Sequence, residues 1–252
     1  MITKRYHFDV LDSTNKKANE LAKEGCGHGT LVTADAQEAG VGRRGRSWTS
    51  EKGTGIYMSM LLKPKMDTEY VSMLTLVAAM AVAKALENMG IYSEKTPCIK
   101  WPNDIVLHKK KICGILTELT LDGTKINHIV IGIGINVLNQ KFPEEICETA
   151  SSILLETGQT INREDLIAEV WNVFGVYYDI FLRTQDFSFL KEEYEAYLVN
   201  KNKQVLVLEP SGSYEGTALG ITNKGELLVD TGDGQKRVSG GEVSVRGIYG
   251  YV

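Results

Sequence analysis

The sequence predicts an α+β protein in two parts: a mixed or antiparallel sheet with flanking helices over residues 1 to 202, then a small β-barrel over residues 203 to 252. Three observations carry this. Strand-like and helix-like runs interleave up to about residue 90. Three strand-like runs then follow one another between residues 97 and 138. From Val205 onward, short alternating runs are punctuated by "EPSGS", "TNKG", "TGDG" and "SGG", the rhythm of a barrel of about five strands. At 43% hydrophobic and 24% charged, 252 residues suffice for a full buried core.

The elements follow in order. "RYHFDV" alternates as a strand does, and "STNKKANELAKEG" reads as a helix with Ser13 or Thr14 at its N-cap and Gly25 at its end. "TLVTADAQ" is the next strand and runs straight into a loop, "EAGVGRRGRSW". After it, "GIYMSMLLK" alternates like a half-buried strand, and residues 69 to 89 form a buried helix. That helix carries Ser72, Thr75 and Lys84 and lacks the roughly 20 uninterrupted apolar residues of a membrane span, so no membrane partner is expected. "CIKWPNDIVL", "KICGILTELTL" and "INHIVIGIGINV" are strands separated by turn signals at "HKKK" and "LDGTK". Between Arg163 and Arg183, Leu166, Val170, Trp171, Phe174, Tyr177, Tyr178 and Phe181 share one helical stripe, which reads as core. A second helix continues to about Val199.

Several function classes drop out. Cys26, Cys98, Cys113 and Cys147 show no C-x-x-C pairing and fit reduced thiols better than a zinc site or disulfides. His7, His28, His108 and His128 have no metal-ligand spacing, and no nucleophile elbow is present. The N-terminus lacks the apolar core of a signal peptide, so the chain is expected in the cytoplasm.

The loop "EAGVGRRGRSW" places Arg43, Arg44 and Arg46 among glycines in a chain of net charge −4, which implies a local anion. Taken literally, "GVGRRG" satisfies the dinucleotide fingerprint. However, "RSWTSEKGTG" cannot open the required helix, and "LLKPK" stands where the acidic ribose ligand should be. Nucleic-acid binding would require a basic face. A merely solvated loop is the bland alternative, and the rest of the chain argues against it. Pro102, Asn103 and Asp104 break an apolar stretch as a tight turn would. Gly114, Gly132 and Gly134 lie inside strands, where glycine marks a close approach, and Asn136 ends the second of them. Together these place a small molecule across the sheet, with Lys111 and the arginines supplying positive charge.

"STN" at 13 to 15, Gln37 ahead of a Gly-Arg loop ending in Trp48, "KWPND", "K-x-x-GIL-x-E" and the late "GGEVSVR" resemble the biotin protein ligases, in order and over nearly the whole chain. Many members read Gly-Arg-Gly-Arg-Arg-Gly-Arg in the loop, and here Val41 replaces the first arginine. The resemblance implies a catalytic domain like that of class II aminoacyl-tRNA synthetases followed by an SH3-like barrel. It implies adenylation of biotin, the substrate, by ATP with Mg²⁺, then transfer to a lysine of a biotin carboxyl carrier protein or carboxylase domain.

By resemblance, Lys111 and Arg43 are catalytic. Ser13, Thr14, Asn15, Gln37, Gly114, Ile115 and Leu116 hold biotin. Arg43, Arg44, Arg46, Trp48, Asn103, Asp104, Lys111, Asn136 and Arg246 hold ATP and the adenylate, with Asp104 also on the metal side. The likeness is to members without an N-terminal DNA-binding domain, so no DNA partner is expected, and a homodimer through the catalytic sheet is. A lipoate ligase, expected to lack the full arginine loop, and a non-catalytic biotin or nucleotide sensor are the alternatives.

Overall fold

The computed structural model describes residues 2–91, 98–241, 243–248 and 251–252; Glu242 of the "GGEVSVR" motif lies outside them. Strand β1 (Lys4–Leu11) leads through helix α1 (Thr14–Lys23) into β2 (Thr30–Gln37), and β1 and β2 pair in parallel because a helix carries the chain back. The strands β3 (Gly55–Leu62), β4 (Cys98–Lys100), β5 (Asp104–Leu107), β6 (Lys110–Asp122) and β7 (Lys125–Asn136) join them antiparallel. The seven-stranded order is β1-β2-β3-β7-β6-β5-β4, the mixed sheet that successive hairpins predict.

Helix α2 (Val71–Asn88) packs with α4 (Arg163–Thr184) on one sheet face, and α1 covers the other. This two-sided cover corrects the reading of β3 as half-buried: all eight of its residues are buried. α2 is long and apolar enough to cross a membrane, yet it lies in the core with its residues buried almost all round, Met73, Val77 and Met80 among them. The α4 stripe is buried as expected, except that Tyr177 is half-buried. "CIKWPNDIVL" is not one strand: it folds back at Trp101–Asn103 into the β4–β5 hairpin, which sets Lys100 opposite Asp104.

Two short helices, α3 (Ile153–Thr157) and α5 (Ser188–Tyr197), precede the C-terminal strands β8 (Lys203–Glu209), β9 (Gly212–Ile221), β10 (Leu227–Asp230), β11 (Gln235–Val238) and β12 (Ser244–Gly247). All five pair antiparallel in the order β11-β10-β9-β8-β12, so the strand number is as expected, but among the described residues no ladder closes the barrel. The segment between β11 and β12 turns instead toward the catalytic sheet: Gly240, Gly241 and Val243 offer carbonyls to Arg43, and Gly240 packs on Pro102. Trp101 Nε1 donates to Gly225 O at 3.0 Å and strengthens the junction.

Candidate active site

The floor of the site is the pairing of β6 and β7, where Gly114 faces Gly134. A Cβ on Gly134 would lie 2.6 Å from the Trp48 indole, and one on Gly114 would lie 2.9 Å from it. A Cβ on Gly132 would collide with the Asn15 amide. The strand glycines therefore admit side chains of the protein itself, those of Trp48, Asn15 and Lys111. The space for a small molecule lies beside Trp48 and Asn15, with Gly114, Gly132 and Gly134 still in its lining.

Trp48 reaches that position because its loop folds as a small hairpin. Val41 bridges Ser47, Gly42 N donates to Arg46 O at 2.7 Å, and Trp48 N donates to Gly40 O at 2.8 Å. Arg44, at φ 60°, takes the left-handed turn position. Arg44 and Arg46 stay exposed, while Arg43 turns inward. Its Nη1 donates to Asn103 Oδ1 at 2.7 Å, and its Nη2 donates to the carbonyls of Gly240, Gly241 and Val243. Asn103 completes the bracket by donating Nδ2 to Ile115 O at 3.1 Å.

One end of the site is neutral and polar. Ser13 caps α1, which sets Thr14 and Asn15 in its first turn over the sheet. Thr14 N and Oγ1 both donate to Gln37 Oε1, at 2.8 and 3.1 Å, and Gln37 Nε2 donates to Ser50 Oγ at 2.9 Å. Ser59 Oγ lies 2.8 Å from Thr14 Oγ1 and 2.6 Å from Asn15 Oδ1. Asn15 Nδ2 and Trp48 Nε1 are buried donors without a partner, a costly state that a ligand's acceptors would relieve.

The other end is charged. Lys111 Nζ stands 2.7 Å from Asp104 Oδ1, off the hydrogen-bonding direction, and 5.3 Å from the Trp48 ring centre. Burial pushes the Asp104 carboxyl up, but Lys111 and Lys100 outweigh it and hold it below the usual carboxylate range. Burial depresses the Lys100 ammonium to about 8 against the pull of Asp104, with Lys111, Arg246 and Arg46 adding to the depression. Burial likewise lowers the Arg43 guanidinium from its ordinary value. One carboxylate thus stands among several cations, and the surplus suits an anion.

A pocket is lined by Ser13, Thr14, Asn15 and Gln37 at its polar end and by Arg43, Asn103 and Lys111 at its charged end, with Trp48 between the two and Gly114, Ile115 and Leu116 on its floor. Five residues of the expected set do not line it. Arg44 and Arg46 sit on the outer side of the loop, and Arg246 is exposed on β12. Asp104 lies behind Lys111. Asn136 donates Nδ2 to Ser151 O at 3.0 Å, a bond within the frame of the site.

Sequence reading missed Lys100, Ser50, Tyr57, Ser59 and Tyr251. Lys100 was within reach, since "KWPND" folded as a hairpin sets it against Asp104; Tyr251 comes from far along the chain and carries no local signal. Sequence spacing also missed that His7, Asp9 and Asp35 bring ligand atoms within 4.8 Å of one another, because the pairing of β1 with β2 creates that proximity. That group does not line the pocket, and Asp35 is also 3.7 Å from Arg163.

Comparison with known proteins identifies the family. The profile of the biotin/lipoate A/B protein ligase family matches residues 7–136, and that of the biotin protein ligase C terminal domain matches residues 202–246. The bifunctional ligase/repressor BirA of Bacillus subtilis is 38% identical over 243 residues, 95% of this chain and 73% of that protein. The biotin--[acetyl-CoA-carboxylase] ligase of Paracoccus denitrificans is 28% identical, over 92% of this chain and 96% of its own. The biotin protein ligase of Aquifex aeolicus, solved in complex with biotin and ATP, superposes with a TM-score of 0.85 at 31% identity, over 98% of this chain and 100% of that one. On its sequence and its fold, the chain belongs to the biotin/lipoate A/B protein ligase family.

Proposed function

We propose that this chain is a biotin protein ligase that makes biotinyl-5′-AMP and passes the biotinyl group to a carrier-domain lysine. The observation that carries the reading is one pocket with two ends, unpartnered buried donors at the first and surplus cations at the second. Biotin matches this polarity: its neutral ureido ring offers acceptors, and its chain ends in the reacting carboxylate. A lipoyl dithiolane ring would leave Asn15 Nδ2 unpaired, which weighs against the lipoate reading. The neighbouring Aquifex enzyme holds biotin and ATP within the same fold.

In the first half-reaction a biotin carboxylate oxygen attacks the α-phosphorus of Mg-ATP and pyrophosphate leaves. In the second, the lysine amine attacks the acyl carbon and AMP leaves. Lys111 faces the reacting carboxylate and α-phosphate, where charge builds. Arg43, bracketed by Asn103, covers the phosphate side, and Trp48 separates the two ends. Thr14, Asn15 and Gln37, with Ser13 at the cap, hold the ureido ring, while Gly114, Ile115 and Leu116 present backbone to it. Arg44, Arg46 and Arg246 approach the nucleotide from outside, and Asn136 steadies its adenine or ribose side. Asp104 does not fit a resident Mg²⁺ ligand, since its carboxylate is hemmed by Lys100, Lys111 and the Tyr251 hydroxyl; magnesium arrives with ATP as substrate.

We divide the chain into a catalytic unit, residues 1–202, and a C-terminal unit, residues 203–252. The enzyme works in the cytoplasm on a carboxylase carrier domain and pairs as a homodimer through the catalytic sheet. It does not bind DNA specifically, since a chain of net charge −4 offers no broad basic face. Biotin-dependent exchange of labelled pyrophosphate into ATP tests the central reading: exchange with biotin supports it, exchange with lipoate alone would replace it, and no exchange would leave a sensor. Sedimentation velocity tests the dimer, and sequence-dependent, salt-resistant gel retardation would contradict the absence of DNA binding.

A further inference from the structure

The C-terminal segment returns to the catalytic sheet beyond β12. Tyr251 donates its hydroxyl to Asp104 Oδ2, and Lys100 Nζ lies 3.6 Å from the centre of the Tyr251 ring. Val252 packs its backbone against Gly247, where a Cβ would collide with it, so the returning segment sits close against β12. Asp104 is therefore held at both oxygens, Oδ1 toward Lys111 and Oδ2 by a phenol from the other unit.

Two ammonium groups compete for this one carboxylate. Lys100 is its register partner across the β4–β5 hairpin, and Lys111 belongs to the neighbouring strand. If Asp104 turned toward Lys100, Lys111 would lose the contact that fixes its position beside the pocket. Tyr251 decides the competition twice over: its ring engages Lys100 by a cation–π contact, and its hydroxyl fixes the carboxylate for Lys111. A phenol does this without adding negative charge, so the cationic surplus stays available to an anion.

We infer that Tyr251 is a positioning residue for adenylation: by holding Asp104 it keeps Lys111 aimed at the reacting phosphate, and so ties docking of the C-terminal unit to the chemistry. This rests on the proposed ligase reaction. Tyr251→Phe keeps the ring on Lys100 and removes only the hydroxyl, whereas Tyr251→Leu removes both contacts. Both are compared with the parent full-length chain in biotin-dependent pyrophosphate exchange, in titration with biotin alone, and in thermal melting.

Tyr251→Phe should lower kcat for exchange about tenfold, the scale of one lost charge-assisted hydrogen bond, with biotin affinity unchanged and at most a small fall in Tm. Tyr251→Leu should add a higher KM for ATP, as Lys100 is released. Tyr251→Phe exchanging at the parental rate would overturn the assignment, as would a loss of kcat accompanied by an equal loss of biotin affinity and a markedly lowered Tm, which would reduce the contact to packing. A parent chain without biotin-dependent exchange would instead sink the ligase reading and this role with it.

Discussion

Lys111 shows how much of the site a single residue explains. Its backbone is clamped from both sides, N donating to Thr149 O at 2.8 Å and O accepting from Ser151 N at 2.9 Å, so only the side chain is free to respond to a ligand. Its ammonium is half-buried between Asp104 and the Trp48 ring, where a developing phosphate charge is poorly screened by water. Lys111→Ala should therefore slow single-turnover adenylation on the order of a hundredfold while biotin affinity changes little. An unchanged adenylation rate would remove Lys111 from the chemistry. The residue types of the site were legible in the sequence; their partners were not. Asn103 stands in a turn that any Asn-Asp pair could form, and only the fold reveals it as the bracket between Arg43 and Ile115.

Among the elements, β6 and β7 do the most to shape the pocket. Their facing glycines lower the floor enough for an indole to lie on it, and the arginine loop supplies that indole from above. The glycines were conspicuous in the sequence as strand-interior residues, but an incoming ligand and an incoming side chain leave the same mark. Gly134→Ala should push Trp48 off the floor, since its Cβ would lie 2.6 Å from the ring and the loop can yield more readily than the sheet. Biotin affinity should fall by about tenfold or more, about 1.4 kcal/mol, and tryptophan emission should shift, because Trp101 and Trp171 are buried elsewhere and unaffected. Identical emission and affinity in the variant would show that the indole does not rest on Gly134.

Across the whole molecule, polar contacts besides those of Arg43 and Tyr251 tie the C-terminal strands to the helices before them. Glu195 of α5 accepts from Lys191 at 2.9 Å, Lys201 at 2.6 Å and the β9 amide of Ile221 at 3.1 Å. Burial raises its carboxyl, but the hydrogen bonds from Lys201, Lys191 and Ile221 prevail and hold it below its ordinary 4.5. A carboxylate depressed by folding contributes stability that is present above pH 4.5 and is lost as pH falls through the lower folded value. Glu195→Gln should lower stability at neutral pH by about 1 kcal/mol and flatten its decline as pH falls below 4.5 in denaturant titrations. Equal acid slopes for the two proteins would show that Glu195 does not hold the junction.

The sequence by itself determined the α+β class, the order of most elements, the five late strands and the conjunction of motifs around Lys111, because periodicity, turn residues and motif spacing are local properties of the chain. It also marked Arg43, Trp48 and Gln37 as belonging together, since their loop is continuous. Tertiary structure alone decided the full burial of β3, because cover on the second face comes from a helix elsewhere in sequence. It alone set β11 and β12 at opposite edges of their sheet, with the carbonyls of Gly240 and Val243 between them turned to Arg43. And it alone brought Tyr251 to Asp104, residues separated by 147 positions, for which no local pattern exists. Local rules read which groups a chain offers; which of them share a buried hydrogen bond depends on the closure of long loops, and that is settled only when the two units pack.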